Sequence, residues 1–435
     1  MRLLTAFSLL VLLSIWACSP KLSNSADSSL QPTAAPIPSQ HFAQAEDVQV
    51  LPAEYDYPNQ KNLFCKDPTA FAPDTNYVEH TPIKYIRVNF HWMNTTDRKA
   101  NLDGKKAVDF VKGMVKASNY HLRKNKKMWL PVGNDIPALP TQFRIVLTPR
   151  PDDPTDDGIY FHYDDEKTYY VHKGKTRNLF KRDLINEYGV QLDTVLNVFL
   201  MPHHPDSVAS KKYLAGNVGV ALRNTVKIAG IVANGGTYWD YAPTLNHEIG
   251  HILGLAHAWR SDGCDDTPRH KNDCYSQSIP GCATRTSNNV MDYSNAQKAW
   301  TPCQIGKIHM RLSRPGNLLR NFLEPRWCTL NEEASIVIRD TVSWDCRKDL
   351  EGHLIIENGG YLSMYCSTSI PKGGRIIVKP GGTLLLQEAT LMNTCGEEWD
   401  GIVVEEMGGV QGQIILKGAV KIENAVHTPD LTLND

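Results

Sequence analysis

His247-Glu248-Ile249-Gly250-His251-Ile252-Leu253-Gly254-Leu255-Ala256-His257 is the stretch on which the reading of this 435-residue chain turns. On a helix, His247 and His251 lie four positions apart, so both imidazoles leave one face and can reach a common point. Glu248 is offset from them by about 100°, beside that point without being a ligand, where its carboxylate can draw a proton from water. Gly254 has no Cβ and can end the helix in a left-handed turn. That return brings His257 to the same point as a third ligand. Three imidazoles with a position left open are the donors of a catalytic zinc site, whereas structural sites are closed by four protein ligands. HExxH alone is a weak signal. The glycine and third histidine at fixed offsets make it specific.

A second element follows at Asn288-Asn289-Val290-Met291-Asp292-Tyr293-Ser294. The long histidine motif followed by a methionine-containing turn resembles the metzincin metalloproteases. The Met291-Asp292-Tyr293 version, with Asp266-Thr267-Pro268 upstream and Trp300-Thr301-Pro302-Cys303-Gln304 downstream, is similar to the pappalysin group with its ulilysin-like enzymes. The likeness is specific from about Pro243 to Leu312 and diffuse before that. It implies an α/β (α+β) metzincin-type catalytic domain with a mixed sheet, one catalytic Zn2+, and zinc-dependent hydrolysis of peptide bonds in extracellular proteins or peptides. It further implies Glu248 as general base, Met291 as a hydrophobic floor under the metal, and Tyr293 as a hydrogen-bond donor to the developing oxyanion. Family members can hold calcium near the Asp-Thr run, which makes Asp266 and Thr267 candidate Ca2+ ligands.

The chain starts with Met1-Arg2 and an apolar run from Leu3 to Trp16, of secretory-signal length and too short to span a bilayer. Ile15-Trp16-Ala17-Cys18 resembles a bacterial lipoprotein processing site, although Trp16 is bulkier than the residue usual there. On that reading residues 1–18 are a signal peptide and Cys18 carries the lipid anchor of a cell-envelope protein. An ordinary secretory signal, cut elsewhere, is the alternative; in both cases the protein is exported. Residues 19–60, rich in Ser, Pro, Ala and Gln, read as a flexible tether. Residues 61–82 are a candidate pro-segment. A net charge of −1 argues against nucleic acid as the main partner. Oligomeric state is not legible.

Residues 83–325 read as the metalloprotease domain. Lys84–Phe90 alternates as a strand. Ala107, Phe110, Val111, Met114 and Val115 have helical spacing within 105–123. Further strands are expected at 142–147, 158–163, 195–201 and 219–221, and the stretch 226–232 leads towards the zinc helix. Which strand edges the cleft, where a peptide would add as a further strand, is not readable. Thr301-Pro302 reads as an N-cap followed by proline at the first helical position, opening a helix that runs to Leu312.

Residues 330–435 differ in character. His353-Leu354-Ile355-Ile356-Glu357-Asn358-Gly359-Gly360-Tyr361-Leu362 returns 22 residues later as Arg375-Ile376-Ile377-Val378-Lys379-Pro380-Gly381-Gly382-Thr383-Leu384, and looser copies follow near 401 and 413. Short strands punctuated by Gly-Gly suggest an all-β domain built as a small parallel β-solenoid, with a β-sandwich as the competing architecture.

Ten cysteines in an exported chain indicate disulfides. Cys264, Cys274, Cys282 and Cys303 suit two bridges, or less well a second zinc site. Cys366 and Cys395 are expected to pair with one another. Of Cys65, Cys328 and Cys346, one remains unpaired once Cys18 carries lipid. Since some metzincins are kept latent by an upstream thiolate on the metal, Cys65 is a candidate latency switch; the alternative is that it pins the catalytic domain to Cys328. A different functional class remains open beside the protease: a cell-surface binding or adhesion protein with an inactive metalloprotease-like domain.

Overall fold

A computed structural model describes residues 38–51, 64–171, 181–209, 216 and 218–428. The signal-like stretch with Cys18 lies outside the described residues, as does most of the expected tether. All described residues belong to one compact unit, 38–435. It opens with strands β1 (Ser39–Phe42) and β2 (Val48–Leu51) and a series of 3-10 turns between Phe64 and His80. A mixed α/β body follows: β3 (Lys84–Asn94), α1 (Gly104–Arg123), β4 (Phe143–Leu147), β5 (Ile159–Tyr163), α2 (Asp183–Tyr188), β6 (Leu196–Met201), α3 (Pro205–Val208), β7 (Val218–Leu222), β8 (Thr225–Ala229), α4 (Ile231–Asn234), α5 (Tyr238–Ile252) and α6 (Pro302–Leu312).

The sheet of this body has the order β4-β3-β6-β8-β7, with β5 continuing along the β4 side of β3. All its pairs are parallel except β7 with β8. Side chains alternate across the strands, as the pleat requires. Ile86, Val88, Phe90 and Trp92 of β3, with Leu196, Val198 and Leu200 of β6, pack under Val111 and Met114 of α1 and Leu245 and Ile249 of α5. Met93, Phe199 and Met201 face the opposite side and a smaller core with Leu184 and Ile185. β3 outruns its expected end at Phe90 by four residues because both of its faces are covered there. α6 begins as the sequence indicates: Thr301 Oγ1 accepts from the Gln304 N–H at 3.3 Å, with Pro302 first in the helix.

Beyond residue 330 the chain alternates between two sheets. One holds 336–338, 354–356, 375–378 and 399–407, and the other 341–344, 361–369, 383–392 and 413–417, in parallel register within each sheet. Leu354 pairs with Ile376 and Tyr361 with Thr383, the offset of the sequence repeat. Leu354, Ile356, Ile376 and Val378 face Leu362, Met364, Leu384 and Leu386 across a closed apolar core.

Residues 39–51 are not a tether. β1 pairs antiparallel with 403–406 and β2 pairs parallel with 414–417, so the chain's own N-terminal strands cover the edges that the C-terminal repeats leave. An open row of backbone donors and acceptors is a pairing template, and Val48-Gln49-Val50-Leu51 fits it. Residues 64–82 pack on α6, where a Cβ at Gly306 would overlap the Pro68 carbonyl, and Phe71 is buried.

Two cysteine expectations are corrected. Cys366 bonds Cys65, and Cys395 bonds Cys328, so Cys366 and Cys395 do not pair and Cys65 is not a free thiol. Spacing alone favours near pairs; the return of the chain sets Cys366, at a register shift in its strand, beside the segment before β3. The free cysteine among the described residues is the buried Cys346.

The α/β body and the C-terminal sheets meet at a buried carboxylate. Asp349 accepts from Lys84 Nζ on β3 at 2.5 Å and from both terminal nitrogens of Arg320 at 2.7 and 2.9 Å. Burial would raise its pKa, but the two cations overcome that and hold it at about 2. Its folded pKa is depressed, so its stabilisation is complete above the unfolded carboxylate value of ~3.9 and fades as pH falls towards about 2. Asp349→Asn strands two buried cations and is expected to lower unfolding free energy at pH 7 by roughly 3–5 kcal/mol. Urea denaturation of both proteins at pH 7 and pH 3 checks this; the gap between them should narrow at pH 3.

Candidate active site

α5 positions the first two histidines. It starts at Thr237, whose N–H donates to Asp240 Oδ2 at 2.7 Å, and places His247 and His251 one turn apart on a largely buried helix. It ends at Gly254, where φ is +90°. The Gly254 N–H donates to the His251 carbonyl at 2.9 Å and the Leu255 N–H to the Gly250 carbonyl at 3.0 Å, the double bond of a left-handed helix stop. The chain turns back there and carries His257 to the other two.

The three rings present their Nε2 atoms to one point. His251 Nε2 lies 3.0 Å from both His247 Nε2 and His257 Nε2. Their outer nitrogens are tied down: His247 Nδ1–H donates to the Val290 carbonyl at 2.7 Å and His251 Nδ1–H to the Leu255 carbonyl at 2.9 Å. Each bond leaves the Nε2 lone pair facing inward. Burial pushes His247 down to about 3 and His257 to about 4, with His251 adding to both shifts, and burial lowers His251 as well. Neutral imidazoles with converging lone pairs suit a zinc ion.

The carbonyl that orients His247 belongs to the residue before Met291. Met291 is fully buried against α5, and Gly250 makes room for it: a Cβ there would overlap the methionine sulfur. The Met291 carbonyl accepts from the Ala258 N–H at 3.0 Å. Asn289 fixes the turn by accepting from the Met291 N–H at 2.8 Å and exchanging two bonds with Gln304 of α6. Tyr293 is 54% exposed, with its ring 5.6 Å from that of His247 and 4.8 Å from that of His257.

Glu248 is buried beneath β7, the sheet edge that sequence could not pick out. A Cβ at Gly219 would come within 2.6 Å of its carboxylate. Burial pushes Glu248 up to about 7, opposed by a hydrogen bond from the Ala221 N–H.

Sequence reasoning missed several partners. Trp259 stacks on His257 at 4.0 Å, and Gln297 Nε2 donates to the Val290 and Asp292 carbonyls at 3.0 and 2.6 Å. Neither carries a motif signal. Gly219 and Ala221 lie nearly thirty residues before Glu248 and become its neighbours only in the sheet.

Asp266 and Thr267 are used otherwise than as a calcium cage. Asp266 Oδ2 accepts from the Cys303 N–H at 2.9 Å, and Thr267 Oγ1 donates to Asp262 at 2.7 Å. The cluster of Cys264, Asp266 and Cys303 holds a disulfide, not thiolates, and Cys274 pairs with Cys282. Calcium therefore finds no support here, and these four cysteines form the two bridges expected of them.

Residues 195–313, which contain all three histidines, Glu248 and the Met-turn, match the peptidase family model described as Pregnancy-associated plasma protein-A. This segment is a pappalysin-type metzincin metallopeptidase. The family implies a catalytic zinc. No curated protein matches the chain. Similar solved structures include Tannerella forsythia mature mirolysin in complex with a cleaved peptide, 17% identical, covering 56% of this chain and 96% of that one, with a TM-score of 0.38. Mirolysin in complex with compound 9 is 16% identical, covering 56% and 97%, at 0.40. A Tannerella forsythia promirolysin mutant is 16% identical, covering 59% and 88%, at 0.38. The assignment rests on the 195–313 match.

Alanine for glycine inside a helix ordinarily stabilises by up to ~1 kcal/mol. Gly250→Ala is expected to do the opposite, since it displaces Met291 and with it the Val290 carbonyl that orients His247. A lower melting temperature and weaker zinc retention during competition with a chelator are the expected readings.

Proposed function

We propose that this metallopeptidase is an endopeptidase in which Glu248 is the general base and His247, His251 and His257 hold the zinc. The observation that carries the reading is the buried carboxylate of Glu248, next to His247 in α5 and under β7 at Gly219, beside three histidines whose Nε2 atoms converge. A carboxylate placed there can take a proton from water and give it back to a leaving group. Zinc, when bound, would lower the pKa of water and polarise a carbonyl. Glu248 would take the proton of the attacking water at its carboxylate and hand it to the leaving amine. Ala221 N–H holds that carboxylate in place. The Tyr293 hydroxyl, on a ring beside His247 and His257, would donate to the oxyanion.

The outer edge of β7 lies over Glu248 and suits an extended peptide added as a further strand. Domain limits of 83–325 for the protease and 330–435 for a parallel β-solenoid fit the α/β body and the in-register repeat pairing. A role for Cys65 as a thiol switch is not part of this proposal, because its sulfur is bonded to Cys366. Export is supported by the N-terminal sequence and by the disulfides, which persist in oxidising compartments; extracellular proteins or peptides are then the substrates, and Cys18 is the lipidated residue.

Glu248→Ala should lower cleavage of an unfolded protein substrate by roughly 10²–10⁴, with zinc content by metal analysis unchanged. Equal activity in both proteins would remove Glu248 from its role. No cleavage by either, with zinc bound, would favour the binding protein over the protease. Cys18→Ala is expected to move the protein from the membrane to the soluble fraction of the cell; retention with membranes would count against lipidation there.

A further inference from the structure

A cavity of about 380 Å³ lies against the loop that follows the zinc motif. Leu130, Pro131 and Pro268 give it apolar walls, and Arg269, Lys271 and Arg285 stand among its lining, which includes no carboxylate. Its walls are bonded to the turn that carries Met291 and Tyr293. His270, also in the lining, makes an ion-pair contact with Asp292 at 2.8 Å, and Asp292 sits between Met291 and Tyr293. Trp129 N–H donates to Asn288 Oδ1 at 2.8 Å, and Asn288 Nδ2 to the Lys127 carbonyl at 2.9 Å. Both walls are thus bonded to the Met-turn.

Two of the cations lining the cavity have no ion-pair partner among the described residues. Arg285 pairs with Asp273, and Asp292 is occupied by His270. Arg269 and Lys271 are exposed and form no ion pair among the described residues. The wall opposite continues the same sign, with Lys124, Lys126 and Lys127 exposed just before Trp129. A chain with a net charge of −1 has concentrated cations beside its catalytic turn. Such a rim draws in a carboxylate and repels a cationic side chain, while the apolar walls accept the methylenes that carry the carboxylate.

We propose that this cavity is a substrate subsite that takes an Asp or Glu side chain of the peptide and sets the cleavage preference of the enzyme. The proposal rests on the proteolytic reading of the histidine site. Arg269 and Lys271 supply the attraction, and Arg285, held by Asp273, closes the rim.

The full chain, zinc-loaded, is given an unbiased peptide library made from a denatured proteome, beside Glu248→Ala as the control for contaminating proteases and a double variant, Arg269→Glu with Lys271→Glu. The expected result is enrichment of Asp and Glu at one fixed position from the cut bond. In the double variant, cleavage of those peptides falls by roughly three- to tenfold, as two partly exposed charge pairs are lost and reversed. Cleavage of peptides with Ala at that position should fall less than that of the acidic ones, and Lys or Arg should gain relative to both. Raising ionic strength should weaken the preference of the parent. A profile without acidic enrichment, or an acidic preference that survives the charge reversal, overturns the subsite while leaving the protease standing. Absence of any cleavage by the zinc-loaded parent overturns the proteolytic reading, and the subsite with it.

Discussion

Three imidazoles have to present neutral, unprotonated Nε2 atoms to a single point, and most of the α/β body can be understood as the means to that end. A helix delivers two of them without help, because residues four apart share a face. The third has to come from chain that has already left the helix, which requires a left-handed stop at Gly254 and a return within three residues. Burial keeps the rings uncharged. Backbone carbonyls of Val290 and Leu255 then choose the tautomer by accepting from Nδ1. One of these carbonyls is in the Met-turn, so the methionine loop orients His247 as well as packing on the helix that carries it.

That loop is itself held from two sides. Gly250 lets Met291 approach α5, and the Asn289–Gln304 pair fastens the turn to α6. α6 in turn is packed by residues 64–82, which the Cys65–Cys366 bridge joins to the C-terminal sheets. Asp349, between Lys84 and Arg320, and the Cys328–Cys395 bridge complete the junction. A buried carboxylate with two cationic partners tolerates no sliding, since any displacement leaves charge unpaired in a dry site. The two bodies therefore support each other, and β1 and β2 bind the start of the described chain to its end.

Much of the site was legible because its chemistry depends on local spacing. The convergence of the three histidines, the glycine stop, the capped α6 and the alternating strands each follow from periods of 3.6 or 2 residues or from a single backbone requirement. The disulfide partners were not legible, because a bond between Cys65 and Cys366 depends on how the chain returns over 301 intervening positions. The strands at 39–51 looked like a tether for a related reason. Four-residue segments of mixed polarity carry too little pattern to register, and they become strands only because an existing edge offers them partners. The same holds for Gly219 and Ala221 beside Glu248: neither has a motif, and both matter through the neighbour that the antiparallel β7 brings to them.

By itself the sequence determined the candidate metal donors, the candidate general base, the turn beside them and the repeating character of the last hundred residues, since all of these are written in spacings shorter than about thirty residues. Tertiary structure alone decided which edge strand covers Glu248, which cysteines meet, where the N-terminal strands dock and which cations gather beside the Met-turn. Those are contacts between segments far apart in the chain. Their energies depend on burial and on the geometry of approach, which no local pattern encodes.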